Sequence, residues 1–189
     1  MSKENKLVPK LRFPEFKGKG EWEEKLLEDI SNVIASGDLD ASSFSPVQTE
    51  QHIYKIYSNS VTKEGLYGYS SGFKYKKNSV TITARGTLGV AFFRNENFVG
   101  IGRLLVISDF RKVYPHFFKE NWNNYAIIPL ENGGIPQLTA VKAKAVRLLF
   151  PKLEEQQKIA DCLSSLDDLI TAENEKLDAL KNHKKGLKI

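Results

Sequence analysis

The chain has a single cysteine, Cys162, in 189 residues, so it cannot form an internal disulfide. No run approaches the roughly 18 apolar residues that a membrane span requires. The amino-terminal segment MSKENKLVPK lacks the apolar core of a secretion signal. Cytoplasmic residence and no membrane partner are the expectations from these absences. Neither GxGxxG nor GxxxxGK[ST] occurs, which removes the common nucleotide cradles. His52, His116 and His183 stand apart, without HExxH or CxxC spacing, so no metal site is expected. Between Gln51 and Lys119 only Glu64, Glu96 and Asp109 oppose 11 Lys/Arg, a net charge of +8. So few carboxylates disfavour a two-metal nuclease. An NPPY or DPPY tetrapeptide is also missing, which disfavours a methyltransferase. No catalytic residue is expected.

What the sequence does contain is a basic middle and a heptad tail. The whole chain carries +5, with 41% apolar and 27% charged residues, an ordinary balance for a soluble protein with one sizeable core. The excess charge lies in the middle, the footprint expected for a polyanion partner. The tail has seven bases and eight acids from Pro151 onward, a net of −1.

In that tail, Ile159, Leu163, Leu166, Ile170, Glu173, Leu177, Leu180, Lys184 and Leu187 recur at alternating steps of four and three. This is a coiled-coil seam sustained for about four heptads. Glycine is absent from Pro151 to Lys185, and the only proline stands at the start. Glu154, Glu155 and Asp161 near the amino end, and Lys181, Lys184, Lys185 and Lys188 near the carboxyl end, complement the helix dipole. A helix of about 35 residues would be about 50 Å long, too slender to bury its own seam. A helix lying across its own domain would usually carry a wider apolar face, so the narrow stripe points to a second helix. Glu173 and Lys184 would face each other in one antiparallel register of two identical helices. A register centred between Ile170 and Glu173 overlaps more of the helix but sets both charges against isoleucines. Both registers stay open.

Ahead of the tail, Pro9, Pro14, Gly18 and Gly20 make residues 1–20 an extended arm, anchored by Leu11, Phe13 and Phe16. From Glu21 to Ile34, Trp22, Leu26, Leu27, Ile30 and Val33 at helical spacing predict a short amphipathic helix. Residues 35–50 read as a polar loop. Short runs rich in β-branched and aromatic residues predict strands at Ile53–Tyr57, Val80–Ala84, Val90–Phe93, Arg103–Ser108, Tyr125–Leu130 and Ala145–Phe150. Residues 114–124 predict a helix, and Glu131–Gly134 a turn. The fold class is therefore α+β. A mixed, largely β globular domain over 21–150 is followed by a long C-terminal coiled-coil helix over 151–189.

Two stretches of the globular part are candidates for nucleic acid. GLYGYSSGFKYKK (Gly65–Lys77) interleaves aromatics with Lys74, Lys76 and Lys77, which suit phosphates, although an aromatic hairpin with a lysine edge reads equally well. TARGTLG (Thr83–Gly89) places Arg85, Gly86 and Thr87 in a tight turn, where an arginine can reach a guanine edge. The alternative there is a structural turn whose glycines supply positive φ. Arg94 and Arg103 complete the set by type and position.

PKLRFPEF with GEWEEKLLEDI, the TARGTLG turn, and above all IPQLTAVKAKAVRLLFPKLEEQQKIADCLSSLDDLITAENEKLDALKNHKKGL (Ile135–Leu187) resemble one half of the specificity subunit of type I restriction-modification systems. In the last stretch a proline, an EQ pair and a KIA triplet precede the heptads. The resemblance implies a target-recognition domain (21–150) and a long helix (151–189) for antiparallel pairing and spacing. It also implies binding of double-stranded DNA, and partnership with a methyltransferase (M) subunit and a restriction (R) subunit. This chain itself would carry no cofactor, with S-adenosylmethionine expected on the M subunit, which methylates adenine. Full-length members carry two recognition domains and two helices, so a half-length subunit, natural or shortened, is expected here. Two copies paired through the helix would read two inverted half-sites across a fixed spacer. The alternative is a truncated coiled-coil adaptor that holds the methyltransferase without productive DNA recognition.

Overall fold

The computed structural model describes residue 9 and residues 11–128 and 136–186. Among the described residues, ten strands and three α-helices form an α+β domain that runs into a fourth, long helix. A four-stranded antiparallel sheet is ordered β2 (Asn32–Ala35), β9 (Leu105–Ser108), β6 (Ser79–Ile82), β7 (Ala91–Arg94). A second is ordered β3 (Phe44–Ser45), β5 (Leu66–Ser70), β4 (Tyr54–Tyr57), β8 (Phe98–Gly100), with β4 and β8 parallel. A two-stranded ribbon of β1 (Glu23–Leu26) and β10 (Arg147–Phe150) ties the two ends of the domain together.

The main core lies between the first sheet, the ribbon and α2 (Pro115–Tyr125). Pro115 opens α2 at a position where its missing N–H costs nothing. Phe117, Phe118, Asn121 and Trp122 form its buried stripe against Val80, Ile82, Leu105, Ile107, Leu148 and Phe150. Fully burying a large apolar side chain contributes about 1.5–3 kcal/mol, so this cluster dominates the stability of the domain.

Three expectations are corrected. The helix predicted over Glu21–Ile34 is instead β1, the single turn α1 (Leu27–Ile30) and β2. Leu27, Ile30 and Val33 do face the core. The ladders to β10 and β9 claim the backbone on either side, however, and Ser31 closes the turn by donating both N–H and Oγ–H to the Leu27 carbonyl. The strand predicted over Tyr125–Leu130 does not form within the described residues: Tyr125 ends α2, and 126–128 are irregular. The open edge of β7 is met at Ala91 by a side chain of α2 instead of a strand: Asn123 accepts from Ala91 N at 2.8 Å and donates to Ala91 O at 3.0 Å. The loop predicted over 35–50 contains β3. Strands β5 and β8 and the short helix α3 (Ala140–Lys144) add to the prediction. The turn at Glu131–Gly134 lies outside the described residues.

The tail is one helix, α4 (Leu153–Gly186), 34 residues long. Only its root packs on the domain: Glu155, Gln156 and Ala160 are buried and Ile159, Leu163 and Ser164 half-buried. Every residue from Ser165 to Gly186 is exposed. No described helix is long and apolar enough to cross a membrane.

Candidate nucleic-acid interface

The turn between β6 and β7 is held rigidly from beneath. Thr83 Oγ1 donates to the Thr87 carbonyl at 2.5 Å and accepts from Val90 N at 2.9 Å, while Thr83 O accepts from Gly89 N at 2.7 Å. Trp122 Nε1 donates to Gly89 O at 2.8 Å, tying the turn to α2. Gly89 has φ +78°, a conformation that strains any other residue, and a Cβ there would also have to push Ile128 Cδ1 aside. With its base fixed, the turn presents Arg85, Gly86 and Thr87 to solvent.

Asn59 joins this turn to a second one. Its Oδ1 accepts from Ala84 N at 2.7 Å and its Nδ2 donates to Gly102 O at 2.6 Å. Gly102 N in turn donates to Gly37 O at 2.9 Å. Arg103 occupies the adjoining position with φ +69° and is exposed. One side-chain amide therefore sets the turns carrying Arg85 and Arg103 beside each other, at the carboxyl end of β6. Nothing in the sequence singled out Asn59, an asparagine in the ordinary polar stretch Ser58–Ser60.

Lys74, Lys76 and Lys77 lie at the other end of β6. Tyr75 exchanges backbone hydrogen bonds with Phe98, Lys77 N donates to Asn97 Oδ1 at 3.0 Å, and Ser79 Oγ donates to Lys76 O at 2.7 Å. The segment is fixed through its backbone while its three lysines stay exposed. They border an open groove of about 590 Å³, shared with Asn32, Asn78, Ser108 and Asp109. Among the described residues, Lys76, Lys77, Arg85 and Arg103 have no ion-pair partner, while Lys74 acts electrostatically on the Asp40 carboxylate. The structure thus splits the predicted set into an arginine edge and a lysine groove. Such an arrangement suits phosphate neutralisation at two places, with base contact from a turn tip.

Arg94 does not belong to that set. Its side chain is 2% exposed and bridges the two sheets. Nε donates to Thr81 Oγ1 at 3.0 Å, Nη2 donates to Glu64 O at 2.6 Å, and the guanidinium stacks over Tyr57. Burial lowers its pKa, and Tyr57 and Glu64 act in the opposite sense. Tyr57 donates to Glu96 Oε1 at 2.5 Å, and Lys55 reaches the same oxygen at 2.9 Å. Burial first, then the Glu96 hydrogen bond, raises the Tyr57 pKa far above the ordinary phenol value. An arginine at the end of a β-strand reads like a surface cation in sequence, and only the fold shows it to be a strut.

The root of α4 explains the EQ pair. Arg12 Nε and Nη2 donate to the two Glu155 carboxylate oxygens at 2.6 Å each, with side chains 7% and 2% exposed. The hydrogen bond to Glu155 holds the Arg12 pKa above its ordinary value. Gln156 accepts from Tyr114 N at 2.9 Å and donates to Pro151 O at 2.8 Å and Lys112 O at 3.3 Å. Within the root, Ile159 packs against the domain's own core and Leu163 is half-buried, so the free seam begins at Leu166. Leu166, Ile170, Leu177 and Leu180 are 49–58% exposed, with Glu173 and Lys184 among them also exposed. Leu187 lies outside the described residues. Among the described residues no group of three or more His, Cys, Asp and Glu side chains is placed to hold a metal.

The profile of the type I restriction modification DNA specificity domain matches residues 19–182. The chain belongs to this family. A Mycoplasma pneumoniae protein carrying the name type I specificity subunit is 29% identical over 144 residues, 74% of this chain and 38% of that protein. The chain therefore spans less than half the length of this relative. The type I restriction-modification S subunit from M. genitalium superposes with a TM-score of 0.67 at 17% identity, over 95% of this chain and 46% of that one. A chain from a structure of assembly and conformational transition in the type I system gives 0.66 at 13% identity, over 96% and 46%. At such identities the likeness is one of fold. The specificity-domain fold therefore accounts for the globular domain, the ribbon that closes it and the helix that leaves it.

Proposed function

We propose that this specificity domain reads DNA for a type I restriction-modification complex and has no catalytic role of its own. Partner M subunits carry S-adenosylmethionine and methylate adenine, and R subunits join for restriction, all in the cytoplasm. Two copies pair through α4 in antiparallel fashion, and each recognition domain reads one half of an inverted, interrupted target. The observation that carries this reading is the exposed seam on a helix that leaves its domain after about three turns. Four apolar side chains about half exposed along one stripe need a partner helix, and an identical helix supplies a matching stripe. The arginine edge and the lysine groove support the DNA-facing role.

Enrichment from a random DNA pool, using the chain with its M subunit, tests the proposal. Two inverted half-sites at one fixed spacing are expected. Retention of the M subunit with no enriched sequence would instead fit a coiled-coil adaptor that does not read DNA.

A further inference from the structure

We infer that the Arg12–Glu155 pair and Gln156 form a latch that fixes the direction of α4, and that this latch sets the spacing between the two half-sites. The inference rests on the dimeric reading just proposed.

Only the first turns of α4 touch the domain, so the path of the whole helix is decided at its root. Two neighbouring side chains hold that root toward different elements. Glu155 meets the amino-terminal arm through the two-pronged Arg12 pair, and Arg12 Nη1 also donates to Gly20 O at 2.8 Å. Gln156 meets the segment leading into α2 at Lys112 and Tyr114. Two restraints in different directions fix rotation about the helix axis as well as tilt. Lys158 adds a weaker outer contact, 3.4 Å from Glu15 and 5.6 Å from the Phe13 ring centre.

The choice of residues fits orientation better than stability. Burying a charge pair costs desolvation that its mutual attraction does not always recover, and an apolar pair of the same volume often holds as well. What the fork adds is direction, because both hydrogen bonds must align at once. Direction matters because the lever is long. From Gln156 to Gly186 the helix extends about 45 Å. A swing of about 10° at the root moves its tip about 8 Å, more than two base-pair steps of about 3.4 Å. In an antiparallel pair the errors at both roots add. Arg12, Glu155 and Gln156 are thus positioning residues that touch no DNA.

The test is the same DNA enrichment, with half-site sequence and spacer length scored separately. Replacing both partners, Arg12→Met with Glu155→Met, leaves no orphaned charge. The expected result is unchanged half-sites, with the single spacer spreading over two or three neighbouring lengths and several-fold weaker binding at the original one. Unchanged half-sites at one unchanged spacing would overturn the latch. If the double variant does not fold, Arg12→Lys keeps the charge without the fork and carries the test. It should give a narrower spread, and a spacer as sharp as the parent's would overturn the latch equally. An unvaried chain that enriches no paired half-sites would overturn the dimeric reading and the latch with it, an outcome seen before any variant is made.

Discussion

The guanidinium carbon of Arg94 lies 3.5 Å from the centre of the Tyr57 ring. This contact joins β7 of one sheet to β4 of the other. The same side chain also satisfies Thr81 and the carbonyl of Glu64, a residue held at φ +53°.

Arg94→Leu should therefore act on stability. It removes the ring contact and leaves the Glu64 carbonyl and Thr81 hydroxyl without their partner, a loss of about 2–4 kcal/mol. Urea denaturation should show a lower midpoint at an unchanged slope. Weaker DNA binding at full stability would contradict the strut.

Arg85→Ala and Lys77→Ala should part company. Neither side chain is buried, so each should leave stability within about 0.5 kcal/mol. Arg85→Ala should cost about 1–3 kcal/mol of binding and relax one target position. Lys77→Ala should weaken all sequences alike and lower the salt slope by about 1. Titrations against matched and mismatched duplexes at several salt concentrations separate the two patterns.

Asn59→Ala frees the Ala84 N–H and the Gly102 carbonyl together. Loss of partners for such groups costs about 1–3 kcal/mol. The positions read near Arg85 and Arg103 should relax together, although Asn59 lies beneath them. Relaxation at one position alone would contradict the coupling of the two turns.

Glu96 titrates below the ordinary glutamate range. Burial pushes its pKa upward, and the Tyr57 hydroxyl and Lys55 together outweigh that push. A folded pKa below the unfolded value of about 4.3 adds stability above that value and loses it as pH falls through the folded one. Glu96→Gln should thus be destabilising at neutral pH, by no more than about 1 kcal/mol for so exposed a pair. The gap from the parent should narrow as pH falls below that unfolded value and close once it has passed the folded one. Denaturation midpoints across that range provide the check, and a gap independent of pH would contradict it.

Ile170→Asp should leave the domain folded and abolish pairing. Ile170 is 58% exposed and touches the domain nowhere near the root, so the monomer loses nothing. Sedimentation equilibrium should report a dimer for the parent and a monomer for the variant.

Much of this architecture was legible because the signals were local. A stepwise seam from Ile159 onward and a proline at Pro151 announce α4, whose start at Leu153 lies two residues from the expected one. Runs such as Val80–Ala84 and Arg103–Ser108 carry β-branched residues dense enough to mark β6 and β9. The amino-terminal strands were hidden because the helical spacing of Leu26, Leu27, Ile30 and Val33 is real, and only pairing with residues 70 or more positions away overrides it. Site residues were legible by charge but not by burial. Arg85 and Arg94 look alike in sequence, and one stands on a turn while the other lies between two sheets. Arg12 and Glu155 are separated by 143 positions, so nothing short of the fold reveals that they meet.

The most direct measurement is a genome-wide map of methylated adenines in cells expressing this chain with its M subunit and no other specificity subunit. An interrupted palindrome methylated in both halves is the predicted result. No new methylation with both proteins present and soluble, or a motif without two-fold symmetry, would contradict the account.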